Sequence, residues 1–108
     1  MAEPRQGEVW WAALPRPSGR RPVLVLTRTA AIPRSHNVTI APLTRTDRRI
    51  PSEVPLTPGD GVPTECVVSL ENILTVPKKL LASKITGLRS ERIKAVFESI
   101  RFVFAMPE

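Results

Sequence analysis

Few side chains in this sequence are equipped for chemistry, and their types narrow the reactions available. There is one Cys and one His among 108 residues. A single Cys excludes a disulfide framework and any Cys-based zinc site. A single His excludes a two-histidine acid/base pair within one subunit. The carboxylates Glu53, Asp60, Glu65 and Glu71 are scattered, whereas a metal nuclease wants them clustered. No metal or other cofactor is therefore expected. His36, between Ser35 and Asn37, reads as a surface loop residue. Cys66, beside Val67 and Val68, reads as a buried thiol of the core. Arg and Thr remain. RNA carries its own nucleophile, the 2′-hydroxyl, so cleaving it requires proton transfer and neutralisation of charge on the phosphate. A guanidinium can neutralise that charge through two parallel hydrogen bonds, and a hydroxyl can donate one more. The candidates are Arg20 or Arg21, where a loop meets a strand, and Thr44 or Thr46, where a strand meets a basic loop.

The charge distribution agrees with an anionic partner. The net charge is +6. Residues 1–12 are net −1 and residues 53–108 are neutral, with seven charges of each sign. Residues 13–52 carry Arg16, Arg20, Arg21, Arg28, Arg34, Arg45, Arg48 and Arg49 against Asp47 alone, net +7. All cations of that window are Arg, which pairs with phosphate in a way Lys cannot. Apolar runs interrupt the window, so its arginines should stand on loops of a folded surface that binds nucleic acid.

Short β-type runs must position these groups. Gly7–Ala12 reads as a strand, Ala13–Arg20 as a loop opened by two prolines and a glycine, and Arg21–Thr27 as a continuous apolar strand. Pro22 sits at its start, where a missing N–H is tolerated. Val38–Leu43 is a third strand and Thr44–Pro51 a basic loop. Ser52–Leu56 is a short edge strand, residues 58–61 a turn, and Glu65–Leu70 a buried strand. Asn72–Val76 and Ser83–Thr86 are extended pieces around one helical turn at Pro77–Leu81. Trp10 and Trp11 point to opposite faces of a regular strand, so one belongs to the core; the other packs or stacks on a base. Ile93, Val96, Phe97, Ile100 and Phe104 fall on one helical face. They predict a helix over Ser90–Phe104, N-capped by Ser90, with that face as a core stripe. The architecture expected is mainly β with a C-terminal helix: a small barrel, closed or nearly so.

Length and composition set the remaining bounds. The chain is long enough for one domain over residues 1–108, burying roughly two-thirds of its unfolded surface. No apolar run reaches the ~18 residues of a membrane span. No leader pattern is visible, so a cytoplasmic protein without a membrane partner is expected.

The ordered series GEVWWAALPRPSGRRPVLVLTR, VTIAPLTRT, SEVPL and ECVVSLENILTVPKKLL, from Gly7 to about Arg92, closely resembles the MazF/PemK family of bacterial toxins. The resemblance implies an SH3-like β-barrel, as in MazF, PemK and CcdB. It implies a homodimer held inactive by a cognate antitoxin. It implies a sequence-specific, metal-independent endoribonuclease cutting single-stranded RNA to 2′,3′-cyclic phosphate and 5′-hydroxyl ends. The family's catalytic Arg opens the strand reading Arg-Pro-Val, which matches Arg21. Its catalytic Thr follows the third strand, in Ala-Pro-Leu-Thr, which matches Thr44. Around that pair, Arg16, Arg20, Arg45, Thr46, Arg48 and Arg49 are expected to bind RNA, largely through phosphates. Gly19 is expected to give its loop a backbone shape other residues resist. Glu71 and Asn72 either contact RNA or satisfy backbone groups in a turn. Two departures bear on base specificity. Many relatives carry an acid where this chain has Ala13, and many read Asn-Leu-Asp-Asn in place of Ser69-Leu70-Glu71-Asn72. The alternatives are a basic nucleic-acid-binding module without catalysis and a protein-directed toxin on the same fold.

Overall fold

Two apolar clusters lie on opposite faces of the central strands, and this explains why those strands read as continuous apolar runs. In the computed structural model, which describes residues 3–107, strands β1 (Glu8–Ala13), β2 (Arg20–Val25) and β3 (Asn37–Thr44) pair in antiparallel order. Val9, Leu24, Ala41 and Leu43 point into one cluster. Trp10, Ala12, Val23, Val25, Val38 and Ile40 point into the other. Strict alternation thus feeds both faces from the same strands.

Strands β4 (Glu53–Leu56), β5 (Cys66–Ser69), β6 (Leu74–Pro77) and β7 (Leu81–Gly87) complete the sheet. The strand order is β4-β5-β3-β2-β1-β7, with β6 paired to β3 beside β5. Helix α1 (Ser90–Val103) packs on β4 and on the 3₁₀ turn Leu70–Asn72. The mainly β architecture with a C-terminal helix is the one expected. Of the two forms expected, closed or nearly so, the fully closed one is not observed: β4 and β7 end the sheet unpaired with each other. Side chains span that gap. Asp60, in the 3₁₀ turn Pro58–Asp60 after β4, accepts from Thr86 Oγ1 through its backbone oxygen at 3.2 Å. Its carboxylate accepts from Arg92 Nε of α1 at 3.0 Å. Gly61 lets the turn approach β7: its φ is +99°, and a Cβ there would collide with Thr86.

The helix differs from expectation in two ways. Arg89 is its N-cap and no side chain caps it, so Ser90 is the first helical residue and not the cap. The buried face is centred on Val96 and Ser99, with Ile93, Ala95, Ile100 and Val103 partly covered. Phe97 and Phe104, placed in the stripe by periodicity, are exposed at 36% and 60%. Ser99 takes their place at the interface by donating Oγ–H to the Pro51 carbonyl at 2.6 Å, which turns the helix so that a polar contact with the loop before β4 is satisfied. No helix is long and apolar enough to cross a membrane among the described residues.

Candidate functional site

The ends of β2 and β3 bring Arg21 and Thr44 together. The β2–β3 register pairs Val23 with Pro42. Carried two residues outward, the same antiparallel register sets Arg21 opposite Thr44, on one face of the sheet. Two hollows meet there. The larger, about 520 Å³, is lined by Arg21, Thr44, Thr46, Arg48, Glu53, Glu71 and Asn72 among others, with Leu14 of the Trp10 cluster. The smaller, about 370 Å³, is lined by Trp11, Arg20, Arg21, Thr44, Arg45 and Cys66 among others. Arg21 and Thr44 are the two residues common to both.

The polar atoms of this pair are partly committed and partly free. Arg21 Nε donates to the Ser18 carbonyl at 3.3 Å, which orients the guanidinium. Its two terminal nitrogens meet no acceptor among the described residues, so their N–H groups point a two-pronged donor at whatever enters. Thr44 Oγ1 accepts the Thr46 backbone N–H at 3.3 Å. A hydroxyl accepting one bond keeps its own hydrogen to donate.

Short side-chain-to-backbone bonds hold the surrounding loops. In the basic loop, Asp47 Oδ1 accepts the Arg49 N–H at 2.8 Å, with Arg49 at φ 54°. The one acid of the basic window is thereby used to shape the loop, and Arg45, Arg48 and Arg49 remain exposed. In the β1–β2 loop, Leu14 N–H bonds the Gly19 carbonyl at 3.1 Å, and Gly19 has φ +66°. That conformation is the one glycine was expected to provide.

The structure sorts the sequence-derived residues into three groups. Arg21, Thr44, Thr46, Arg48, Glu71 and Asn72 line the larger hollow. Arg20 and Arg45 line the smaller one. Arg16, Gly19 and Arg49 line neither. Asn72 donates Nδ2–H to Ser69 Oγ at 2.7 Å, while Glu71 bonds no side chain or backbone among the described residues. Of the two tryptophans, Trp10 is the core residue, its Nε1 donating to Glu8 at 3.0 Å. Trp11 is half-buried, with the Arg20 guanidinium 4.2 Å from its ring centroid.

Two residues sit differently from expectation. Cys66 is not sealed in the core; it is half-buried and lines the smaller hollow. Burial still pushes its thiol up, helped by the Asp60 charge, so little thiolate is present at neutral pH. Glu53 reads in the sequence as one of several scattered acids, yet it is buried and lines the larger hollow. Alternation gives no signal for this, because Glu53 lies on the β4 face of exposed Pro55; the basic loop folds over it, and Glu53 Oε1 accepts the Arg48 N–H at 2.8 Å.

His36 is exposed, as expected, and borders a separate hollow of about 680 Å³ with Trp10 and Lys78. It neighbours the start of β3, roughly 23 Å of strand from Thr44. Among the described residues no three His, Cys, Asp or Glu side chains gather as a metal site.

A family described as "PemK-like, MazF-like toxin of type II toxin-antitoxin system" matches residues 5–104. The chain is 42% identical over 96 residues to a probable endoribonuclease, MazF5, of Mycobacterium tuberculosis, covering 88% of this chain and 87% of that one. It superposes on the M. tuberculosis toxin MazF-mt6 with a TM-score of 0.87 at 35% identity, covering 94% and 99% of the two chains. A mycobacterial endoribonuclease solved in complex with its cognate antitoxin has the same fold, with a TM-score of 0.86 at 23% identity over 97% and 98% of the chains.

Proposed function

From membership of the PemK-like, MazF-like toxins of type II toxin–antitoxin systems, the family to which this chain belongs, we propose that it is a single-domain toxin endoribonuclease cutting single-stranded RNA in the cytoplasm. It cuts at a preferred short sequence and without a metal ion. It works as a homodimer, and a cognate antitoxin neutralises it. The observation that carries this reading is that Arg21 and Thr44 are shared by two adjoining hollows, with donors left free on both side chains.

The chemistry follows from those donors. A strand laid across the pair places nucleotides in the two hollows and the phosphate between them. The 2′-oxygen attacks phosphorus as its proton leaves. The bond to the 5′-oxygen breaks as that oxygen gains a proton. The products are a 2′,3′-cyclic phosphate and a 5′-hydroxyl. Arg21 meets the charge growing on the non-bridging oxygens with two N–H bonds, and Thr44 donates a third. Arg20, Arg45 and Arg48, with Thr46, hold the flanking backbone. The antitoxin resolved with a relative of the same fold suggests a partner segment, acidic or apolar, lying across this basic surface and folding as it binds.

The test is cleavage of a long single-stranded RNA in EDTA by wild type and Arg21→Ala, with end analysis. Wild type is expected to cut at a recurring sequence and leave 5′-hydroxyl ends, while Arg21→Ala loses about 10²–10⁴-fold. Folded wild type that binds RNA and never cuts it would establish a binding module instead. Equal cutting by both proteins would remove Arg21 from the mechanism.

A further inference from the structure

The larger hollow contains two acids that phosphate chemistry does not explain. A carboxylate repels phosphate, so an acid on the wall of an RNA groove is not there to hold the backbone. Glu71 is exposed at this wall. Glu53 is nine-tenths buried, yet among the described residues it forms no ion pair with any of the arginines around it. Its Oε1 is engaged by the Arg48 N–H, and its Oε2 meets no donor among the described residues. No buried side-chain nitrogen or oxygen among those residues lacks a partner. Oε2 is therefore not sealed from solvent, and Glu53 lines the hollow.

A carboxylate offers acceptors only. The RNA groups that supply donors in a single strand are the base edges. Cytosine, adenine and guanine each carry an exocyclic amino group with two N–H bonds. Uracil has one N–H, set between two carbonyl oxygens that a carboxylate repels. Glu53 and Glu71 place acceptors on one hollow, enough to take both hydrogens of one amino group. Resting on the endoribonuclease reading above, we infer that Glu53 is a specificity residue: it seats an amino-bearing base in the hollow beside the scissile phosphate and excludes uracil.

The experiment is digestion of a randomised single-stranded RNA pool by wild type and Glu53→Gln, with sequencing of the new ends. Glutamine keeps the size and an acceptor for the Arg48 N–H, but presents an amide donor in place of the free oxygen. Wild-type products should show uracil depleted about tenfold or more at one position flanking the cut. E53Q should restore uracil at that position while retaining preferences elsewhere. A wild-type profile that tolerates uracil at every flanking position overturns the inference, as does E53Q cutting the same sequences uniformly more slowly. Should E53Q fail to fold, wild type alone decides, with synthetic RNAs in which the selected base is replaced by a counterpart lacking the amino group: uridine for cytidine, purine riboside for adenosine, or inosine for guanosine. A loss in kcat/KM of about tenfold is expected, and unchanged kcat/KM overturns the inference. Folded wild type that cuts no RNA overturns the endoribonuclease reading as well; efficient cutting without base preference at this position overturns only the role of Glu53.

Discussion

Arg21 and Thr44 each lie two residues beyond the paired Val23 and Pro42 of β2 and β3, and they are the two residues that belong to both hollows at this end of the sheet. Neither hollow alone would hold a scissile phosphate with a nucleotide on each side. In the proposed mechanism the two hollows together do so, because the ends of two adjacent strands bring side chains of different elements to one point, and both elements are anchored in the core through Val23, Leu24 and Leu43.

This geometry separates charge from shape at Arg21. Arg21→Lys keeps the positive charge but replaces the flat fork with a single point donor. Cleavage is expected to fall at least about tenfold, with RNA binding changed by less than about threefold. Single-turnover rates and binding of an RNA with a 2′-deoxy cut site measure the two quantities separately. A lysine variant that cuts at the wild-type rate would mean that only charge is used.

For Thr44 the contrast is between hydroxyl and volume. Thr44→Val keeps the branched shape and removes the donor; Thr44→Ser does the reverse. Valine is expected to lose about 10–100-fold in kcat, the scale of one hydrogen bond made to growing charge, and serine to stay within about threefold of wild type. Equal losses in both variants would assign Thr44 to packing.

Arg45 and Arg48 stand on the basic loop at different hollows, so their contributions to binding should be separable by salt. Each phosphate contact removed from a single strand lowers the slope of log K against log[salt] by about 0.7. Arg45→Gln and Arg48→Gln should each show that change, and the double variant about twice it, with the preferred cut sequence retained. A variant that loses affinity at an unaltered slope would be reading something other than phosphate.

Legibility from the sequence followed the range of the forces involved. Strands β1, β2 and β3 were readable because apolar runs bounded by Pro, Gly and Arg depend on neighbouring residues. Arg21 and Thr44 emerged as candidates because both flank such runs, but choosing them over Arg20 and Thr46 needed the family resemblance, since sequence spacing alone does not reveal a register. Glu53 was hidden because its burial comes from the basic loop folding back, as the Arg48 N–H contact records. Phe97 and Phe104 were misplaced for a related reason. Helical periodicity gives the width of an apolar stripe, but the helix is rotated by the Ser99–Pro51 contact, which joins residues 48 apart. The open side of the sheet was equally invisible, because Asp60, Thr86 and Arg92 meet only in the folded chain.

Asp60 is expected to make that open side sensitive to acid. Its side chain is 2% exposed. Oδ2 accepts the Thr57 N–H at 2.9 Å, and Oδ1 accepts from Arg92 at 3.0 Å. The Thr57 backbone bond, followed by the Arg92 guanidinium, holds this carboxyl below the usual carboxylate range. A folded pKa below the unfolded one means that stability is fully present above the unfolded value, about 4, and is lost as pH falls through the folded value. Asp60→Asn should therefore be less stable than wild type by about 1–3 kcal/mol at pH 7, and the gap should narrow at pH 3 because wild type loses what the variant never had. Paired denaturant melts at pH 7 and pH 3 measure both gaps. Cleavage near neutral pH, at a temperature where both proteins are folded, should be unaltered in rate, since Asp60 lines neither hollow at Arg21 and Thr44. A gap of the same size at both pH values would show that Asp60 acts through its hydrogen-bonding shape and not through its charge.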